Sequence, residues 1–326
     1  MTGSGPPIVA PAWWISHLEL DWKERAFRQF WESAVAGHTL VRYDRPGVGM
    51  SDRDVVDDDF TLDGEVALLC SVLDELGLEK TTLIGGSSGG CAATAFAARY
   101  PDRVDRLVLY GAYADGGSIT SWQVREAILT TVRSHWGLGS RLLADMFLDD
   151  VSSEDEDRLA RYQREATSPE TAAALLQSVY GNDVRAELGR VRAPTVVIHR
   201  RGDKAIPYRL GRELAAGIKH ATLIPLDGSA HFPWAGDASS VARAVRSALA
   251  PGTSAAAGTE LLPVQLSGRE REILALMASG LSDQEMAEQL VLSQHTVHRH
   301  VANIRHKLGR STRAAAVAEA ARLGLL

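Results

Sequence analysis

The chain has 326 residues, roughly twice the usual length of one domain, so two folded units are expected. Apolar residues make up 45% and charged residues 23%, which excludes a disordered or low-complexity chain. The net charge of −6 divides unevenly: residues 1–262 carry −8, whereas residues 263–326 carry +2 and four of the ten histidines, a first pointer to an anionic partner of the tail.

No apolar run reaches the roughly 18 residues that a membrane span needs. The opening Met1-Thr2-Gly3-Ser4-Gly5-Pro6-Pro7 lacks the basic and then apolar stretches of a signal peptide. Cys70 and Cys91 fall in apolar helical patterns and fit reduced core residues, so a cytoplasmic protein with no membrane partner is expected.

In chain order, β-rich runs at 7–10, 39–43, 81–85, 106–110, 195–199 and 221–226 predict strands, with helical patterns such as 63–76 and 89–99 between some of them. That alternation implies an α/β fold, a mostly parallel sheet covered on both faces. Residues 116–188 break the rhythm with helix-like patterns alone and read as an inserted cap at one edge of the sheet. Ala250 to Thr259 has small residues and no charge, which reads as a linker. The expected division is a first domain over 1–249, a linker over 250–262 and a second domain over 263–326.

The stretch Ile84-Gly85-Gly86-Ser87-Ser88-Gly89-Gly90 follows a predicted strand and opens a helix of small residues. Its G-x-S-x-G pattern fits a strained elbow that holds a serine hydroxyl clear of the sheet, with glycines 85 and 89 making room for the helix crossing. The register on Ser88 also matches; Ser87 is preferred because Leu83-Ile84 then lead straight into the elbow. With Tyr43-Asp44-Arg45-Pro46-Gly47 before it and Tyr100-Pro101-Asp102-Arg103-Val104 after it, residues 7–249 resemble the α/β-hydrolase superfamily.

The resemblance implies a chain order of nucleophile, acid and histidine. Asp203, at the end of the strand Val197-Ile198-His199-Arg200, takes the acid position and His231 the histidine position, with Asp115 as a second candidate acid. Ser88 and Trp13 are then expected to supply the oxyanion-hole N–H groups. Pro11-Ala12 stands where the superfamily often has His-Gly; one donor is worth roughly 3–4 kcal/mol of transition-state stabilisation, so poor turnover is expected. Trp14, His17, Trp136 and Phe147 are candidates for an apolar ligand pocket suited to a small lipophilic ester or lactone, with aromatic packing between cap and core as the competing reading.

The tail is punctuated as four helices, an all-α helix-turn-helix domain. Ser267-Gly268-Arg269-Glu270 and Ser282-Asp283-Gln284-Glu285 form capping boxes, and Gly280, Gly309 and Gly324 mark stops. Ser293 caps a third helix, and Ser311 or Thr312 a fourth. Val297, Val301, Ile304 and Leu308 make an inward stripe, while His295, His298, Arg299, Ala302, Arg305 and His306 form a basic, imidazole-rich opposite face suited to the major groove. The run Ser293-Gln294-His295-Thr296-Val297-His298-Arg299-His300-Val301, with Gly280-Leu281-Ser282 and Lys307-Leu308-Gly309, resembles the LuxR-type DNA-binding domain.

By position that resemblance puts His298 and Arg299 at base-contacting sites, and Thr296, Asn303 and Lys307 at backbone-contacting ones. His298 and Ala302 replace frequent lysines, which implies a different operator. The last helix is implied to pair two copies. The expected function is a regulator that binds double-stranded DNA as a homodimer. Its hydrolase-like domain binds a small lipophilic ligand, with slow hydrolysis or none. The alternatives are an active esterase or lactonase carrying a DNA module, and a protein-interaction scaffold with a vestigial triad. No cofactor or metal is expected.

Overall fold

The computed structural model describes residues 1–148, 152–250, 266–308, 312–322 and 325. The expected linker beyond Ala250, together with Gly309, Ser311, Gly324 and the His306 side chain, lies outside the described residues. The chain forms two compact units, Met1–Thr259 and Glu260–Leu326.

The first unit begins with β1 (Thr2–Gly3), β2 (Pro7–Ala10), α1 (Leu18–Lys23), α2 (Arg25–Ala34) and β3 (Thr39–Arg42). After α3 (Leu62–Glu75) come β4 (Thr81–Gly86), α4 (Ser87–Arg99) and β5 (Val104–Tyr110). The inserted segment supplies α5 (Trp122–Ser134), α6 (Trp136–Phe147), α7 (Ser153–Ala166) and α8 (Pro169–Gly181). The chain then returns through β6 (Thr195–Arg200), α9 (Tyr208–Gly217), β7 (Thr222–Leu226) and α10 (Ala238–Leu249).

The seven strands lie in the order β1-β3-β2-β4-β5-β6-β7, all parallel except β1. Each expected strand is present. The two-residue β1, which pairs antiparallel with β3, is too short to leave a sequence pattern.

Side chains alternate across the sheet and feed two cores. Val9, Leu83, Leu107 and Leu109 join α3, α4, α9 and the inserted helices on one face. Ile8, Ile84, Val108 and Tyr110 join α2 and α10 on the other. The insertion reaches the loops beyond β2 and β7: Gln163 accepts from Trp14 Nε1, and the Phe147 carbonyl accepts from the His231 N–H. Among the described residues no helix is long and apolar enough to cross a membrane, and no cluster of His, Cys, Asp or Glu could hold a metal ion.

The second unit contains α11 (Gly268–Ala278), α12 (Asp283–Leu290), α13 (Gln294–Lys307) and α14 (Arg313–Arg322). Both serine–glutamate capping boxes form, Ser293 accepts from Thr296 N–H, and Thr312 caps α14 through Ala315 N–H. Val297, Val301, Ile304 and Leu308 are buried in a core that draws on all four helices.

Because that core is internal, a fragment of residues 260–326 is expected to give a helical circular-dichroism spectrum and to unfold cooperatively. Ile304→Ala should remove about 2–4 kcal/mol from it. A coil spectrum for the unmutated fragment would contradict the division.

Candidate active site and DNA-reading helix

The first unit's chemistry gathers where β4 ends. Ser87, the first residue of α4, has φ 50, a left-handed conformation that costs a non-glycine residue roughly 1–2 kcal/mol. The close crossing behind it depends on small residues: a Cβ on Gly85 would lie 2.8 Å from Ala93, and one on Gly89 would lie 2.6 Å from the Ala12 carbonyl. Ser88 sits in the first turn of α4, where backbone N–H groups lack intrahelical acceptors. Its hydroxyl donates to the Trp13 carbonyl, which brings the loop after β2 against the elbow. Ser88 and Trp13 are therefore neighbours.

Asp203 and His231 also meet. His231 Nδ1 lies 2.9 Å from Asp203 Oδ2, and both side chains are buried. A carboxylate that accepts from Nδ1–H leaves Nε2 as the other ring nitrogen. Asp203 Oδ1 accepts from the Ala205 and Ile206 N–H groups at 3.0 Å each, which fixes the carboxylate plane. Asp115 lies elsewhere, bonded to Gly117, Ser118 and Arg185.

Two buried arginines hold the loops that carry these groups. Arg200 Nη1 donates to the Ala230 and Phe232 carbonyls at 2.7 and 3.0 Å, and its Nη2 to those of Ala235 and Asp237 at 2.7 and 3.2 Å. The His231 loop is thus tied to the end of β6. Arg45 donates to the Ala12 and Trp13 carbonyls and pairs with Glu65 at 2.7 Å. A third group, His199, bonds the Ile206 carbonyl through Nε2 at 2.9 Å and approaches Asp203 Oδ2 at 3.6 Å. Burial lowers its pKa, which favours the neutral ring.

The four pocket candidates separate. Phe147, at the end of α6, lies 5.7 Å from the His231 ring, and Trp14 packs on Phe147 at 6.3 Å. His17 instead caps α1, its ring nitrogen accepting from Leu20 N–H. Trp136 bonds the Thr167 carbonyl inside the cap. A cavity of about 610 Å³ borders Trp13 and Trp14 but not Ser87, His231, His17, Trp136 or Phe147.

On the second unit's α13, Arg299, Ala302 and Asn303 are exposed. Two other expected contacts are engaged internally. His298 Nδ1 lies 3.1 Å from Asp283 Oδ2, and Lys307 Nζ lies 2.8 Å from Glu270 Oε2. Thr296 Oγ1 is shared with the cap, 2.8 Å from Ser293 Oγ.

A family model described as the alpha/beta hydrolase fold matches residues 20–235, and that of bacterial regulatory proteins, luxR family, matches residues 264–320. The chain belongs to the α/β-hydrolase fold family and carries a LuxR-type tail. A 2-hydroxy-6-oxononadienedioate/2-hydroxy-6-oxononatrienedioate hydrolase from Cupriavidus pinatubonensis is 32% identical over 207 residues, which are 60% of this chain and 71% of that protein. A 2-hydroxy-6-oxo-6-phenylhexa-2,4-dienoate hydrolase from Comamonas testosteroni is 30% identical over 206 residues, 60% and 72% of the two chains. The crystal structure of the enol-lactonase from Burkholderia xenovorans LB400 superposes with a TM-score of 0.62 at 26% identity, covering 76% of this chain and 92% of that one.

Within this α/β-hydrolase unit, Arg45 and Arg200 escape a sequence reading. Their acceptors are main-chain carbonyls about thirty residues away, which leave no residue-type signal. The elbow strain is directly testable. Ser87→Gly relieves a left-handed serine at a smaller entropic cost, so urea unfolding should show a gain of about 0.5–1 kcal/mol. A loss of stability would mean that the conformation at residue 87 is not strained.

Proposed function

We propose that the protein is a ligand-responsive transcription regulator: the LuxR-type tail binds double-stranded DNA as a homodimer, and the α/β-hydrolase unit senses a small lipophilic molecule. The observation that carries this reading is the reader helix, where an exposed Arg299 and Asn303 stand opposite the buried Val297, Val301 and Ile304. A helix so divided suits insertion into the major groove. In this reading Arg299 meets base edges, Asn303 and Thr296 meet the backbone, and α14 pairs two copies. His298 and Lys307 must exchange Asp283 and Glu270 for DNA before they can contribute, which reduces their net gain.

In the α/β-hydrolase unit, Ser87 is the nucleophile, His231 its base and Asp203 the group that orients the base. The Trp13 and Ser88 N–H groups form the oxyanion hole. The chemistry balances as acyl transfer: Ser87 Oγ attacks the carbonyl carbon while His231 Nε2 takes its proton. The imidazolium then returns that proton to the leaving group. Pro11-Ala12 in place of His-Gly, the Phe147 ring beside His231 and the 8% exposure of Ser87 favour a receptor that holds its ligand over one that turns it over quickly.

A working hydrolase is the second reading, favoured by the 2.9 Å His231–Asp203 contact and by relatives that are themselves named hydrolases. Ser87→Ala decides between them, with p-nitrophenyl acetate hydrolysis and extract-dependent DNA binding followed in the same samples. The receptor reading expects slow wild-type turnover, abolished by the change, and an unaltered response to cell extract. Fast turnover together with a variant that no longer responds favours the enzyme. For the tail, Arg299→Ala should weaken binding to the specific site by about 1–3 kcal/mol while sparing random DNA. Equal losses on both would make Arg299 a phosphate contact.

A further inference from the structure

The cavity of about 610 Å³ lies between α1, α2, the loop after β2, the cap helix α7 and residues 232–236, and neither Ser87 nor His231 borders it. Its size falls within the roughly 300–1,000 Å³ range of small-molecule sites. The Trp13 indole lies flat against Gly86, where a Cβ would come within 2.1 Å of a ring carbon, and Phe232 follows His231 directly.

One wall is aromatic. Trp234 stacks on Phe232 at 4.9 Å and on Trp13 at 5.6 Å, and meets Phe27 edge-on at 4.6 Å. Trp31 completes that wall, 3% exposed, and its indole N–H is buried without a partner. Such flat, stacked surfaces fit a planar ring system.

The opposite side is polar, and the donors beside Asp21 are engaged. Tyr162 O–H donates to Asp21 Oδ1, while Arg42 Nη1 donates to Asp21 Oδ2 at 3.2 Å. The Arg42 guanidinium also lies 5.0 Å over Trp22 and 4.8 Å over Phe27. What remains towards the cavity is acceptor capacity on Asp21 and Tyr162. Burial pushes the Asp21 carboxyl up to about 6 in spite of the Tyr162 and Arg42 bonds, so its charge is under-solvated and gains from another donor. At the mouth, Arg158 already pairs with Asp155 at 2.6 Å and Glu24 at 3.9 Å, and Lys23 with Glu19 at 3.8 Å. Arg161 and Glu165 of α7, one charge of each sign, also border the chamber.

We propose that this chamber, and not the space over Ser87, is a binding site for a planar aromatic molecule bearing a hydroxyl group. The rings pack against Phe27, Trp31 and the edges of Trp13 and Trp234, and the hydroxyl donates to Asp21. Because the chamber is walled jointly by core helices and α7, a bound molecule bridges cap and core. Binding itself is independent of the regulator reading; only its use as a signal rests on it.

Isothermal titration calorimetry on the full chain tests the site with 2-naphthol as probe and 2-methoxynaphthalene, which lacks the donor, as comparison. One 2-naphthol should bind per chain, the methyl ether should bind about tenfold or more weakly, and Ser87→Ala should bind 2-naphthol as wild type does. Leu20→Trp, which fills the chamber from α1, should abolish binding; Ala26→Trp, from an exposed position on α2, serves the same purpose if the first variant does not fold. No saturable binding, equal binding of the two probes, or binding that survives filling and is lost in Ser87→Ala would overturn the proposal. If 2-naphthol binds as expected but leaves DNA affinity unchanged, the site stands and the sensing part of the regulator reading falls.

Discussion

A serine held at φ 50 where β4 becomes α4 is the constraint on which the rest of the α/β-hydrolase unit depends. The conformation is costly by itself, so its neighbours must over-determine it. The parallel pairing of β4 with β2 and β5 fixes the strand end, and the close approach of Ala12 and Ala93 leaves no room for another helix direction. The cost buys position: the hydroxyl stands at the C-terminal edge of the sheet, where the loops after β2, β6 and β7 also arrive.

Those loops are irregular, and order in them comes from buried charge. Arg45 and Arg200 each turn a guanidinium fork towards main-chain carbonyls, which satisfies several polar groups with one side chain. Arg45 has Glu65 as counter-ion, and burial raises the pKa of that carboxyl even though Arg45 acts against the shift. A pair of this kind stabilises less than its short distance suggests, but removing one partner leaves an uncompensated charge and costs about 3–5 kcal/mol. The loops that carry Trp13, Asp203 and His231 thus rest on two electrostatic anchors.

Much of this was legible in the residues, for identifiable reasons. Strands such as 81–85 and 195–199 announce themselves because buried parallel strands are continuous apolar runs. The capping boxes at Ser267 and Ser282 are local, so both partners lie within one turn. The elbow, Asp203 and His231 follow a fixed chain order. What the residue types alone do not convey depends on distant contacts. His17 and Trp136 look like pocket residues by type but bond within their own surroundings, to Leu20 and Thr167. The chamber beside Trp13 needs residues from α1, α2, α7 and the 232–236 loop together. His298 and Lys307 are DNA-contact positions by sequence, and the fold also brings Asp283 and Glu270, from other helices, beside them.

The tail has its own core and its own caps, so its reader helix is built without help from the α/β-hydrolase unit. The whole account therefore turns on whether the intact protein selects a DNA sequence. Sequencing of genomic fragments captured by the purified full-length chain, at an ionic strength near 0.15 M, tests this most directly. Enrichment of a shared motif with two-fold symmetry, lost in the Arg299→Ala variant, is the expected result. Capture in proportion to fragment abundance, with no common motif, would contradict it.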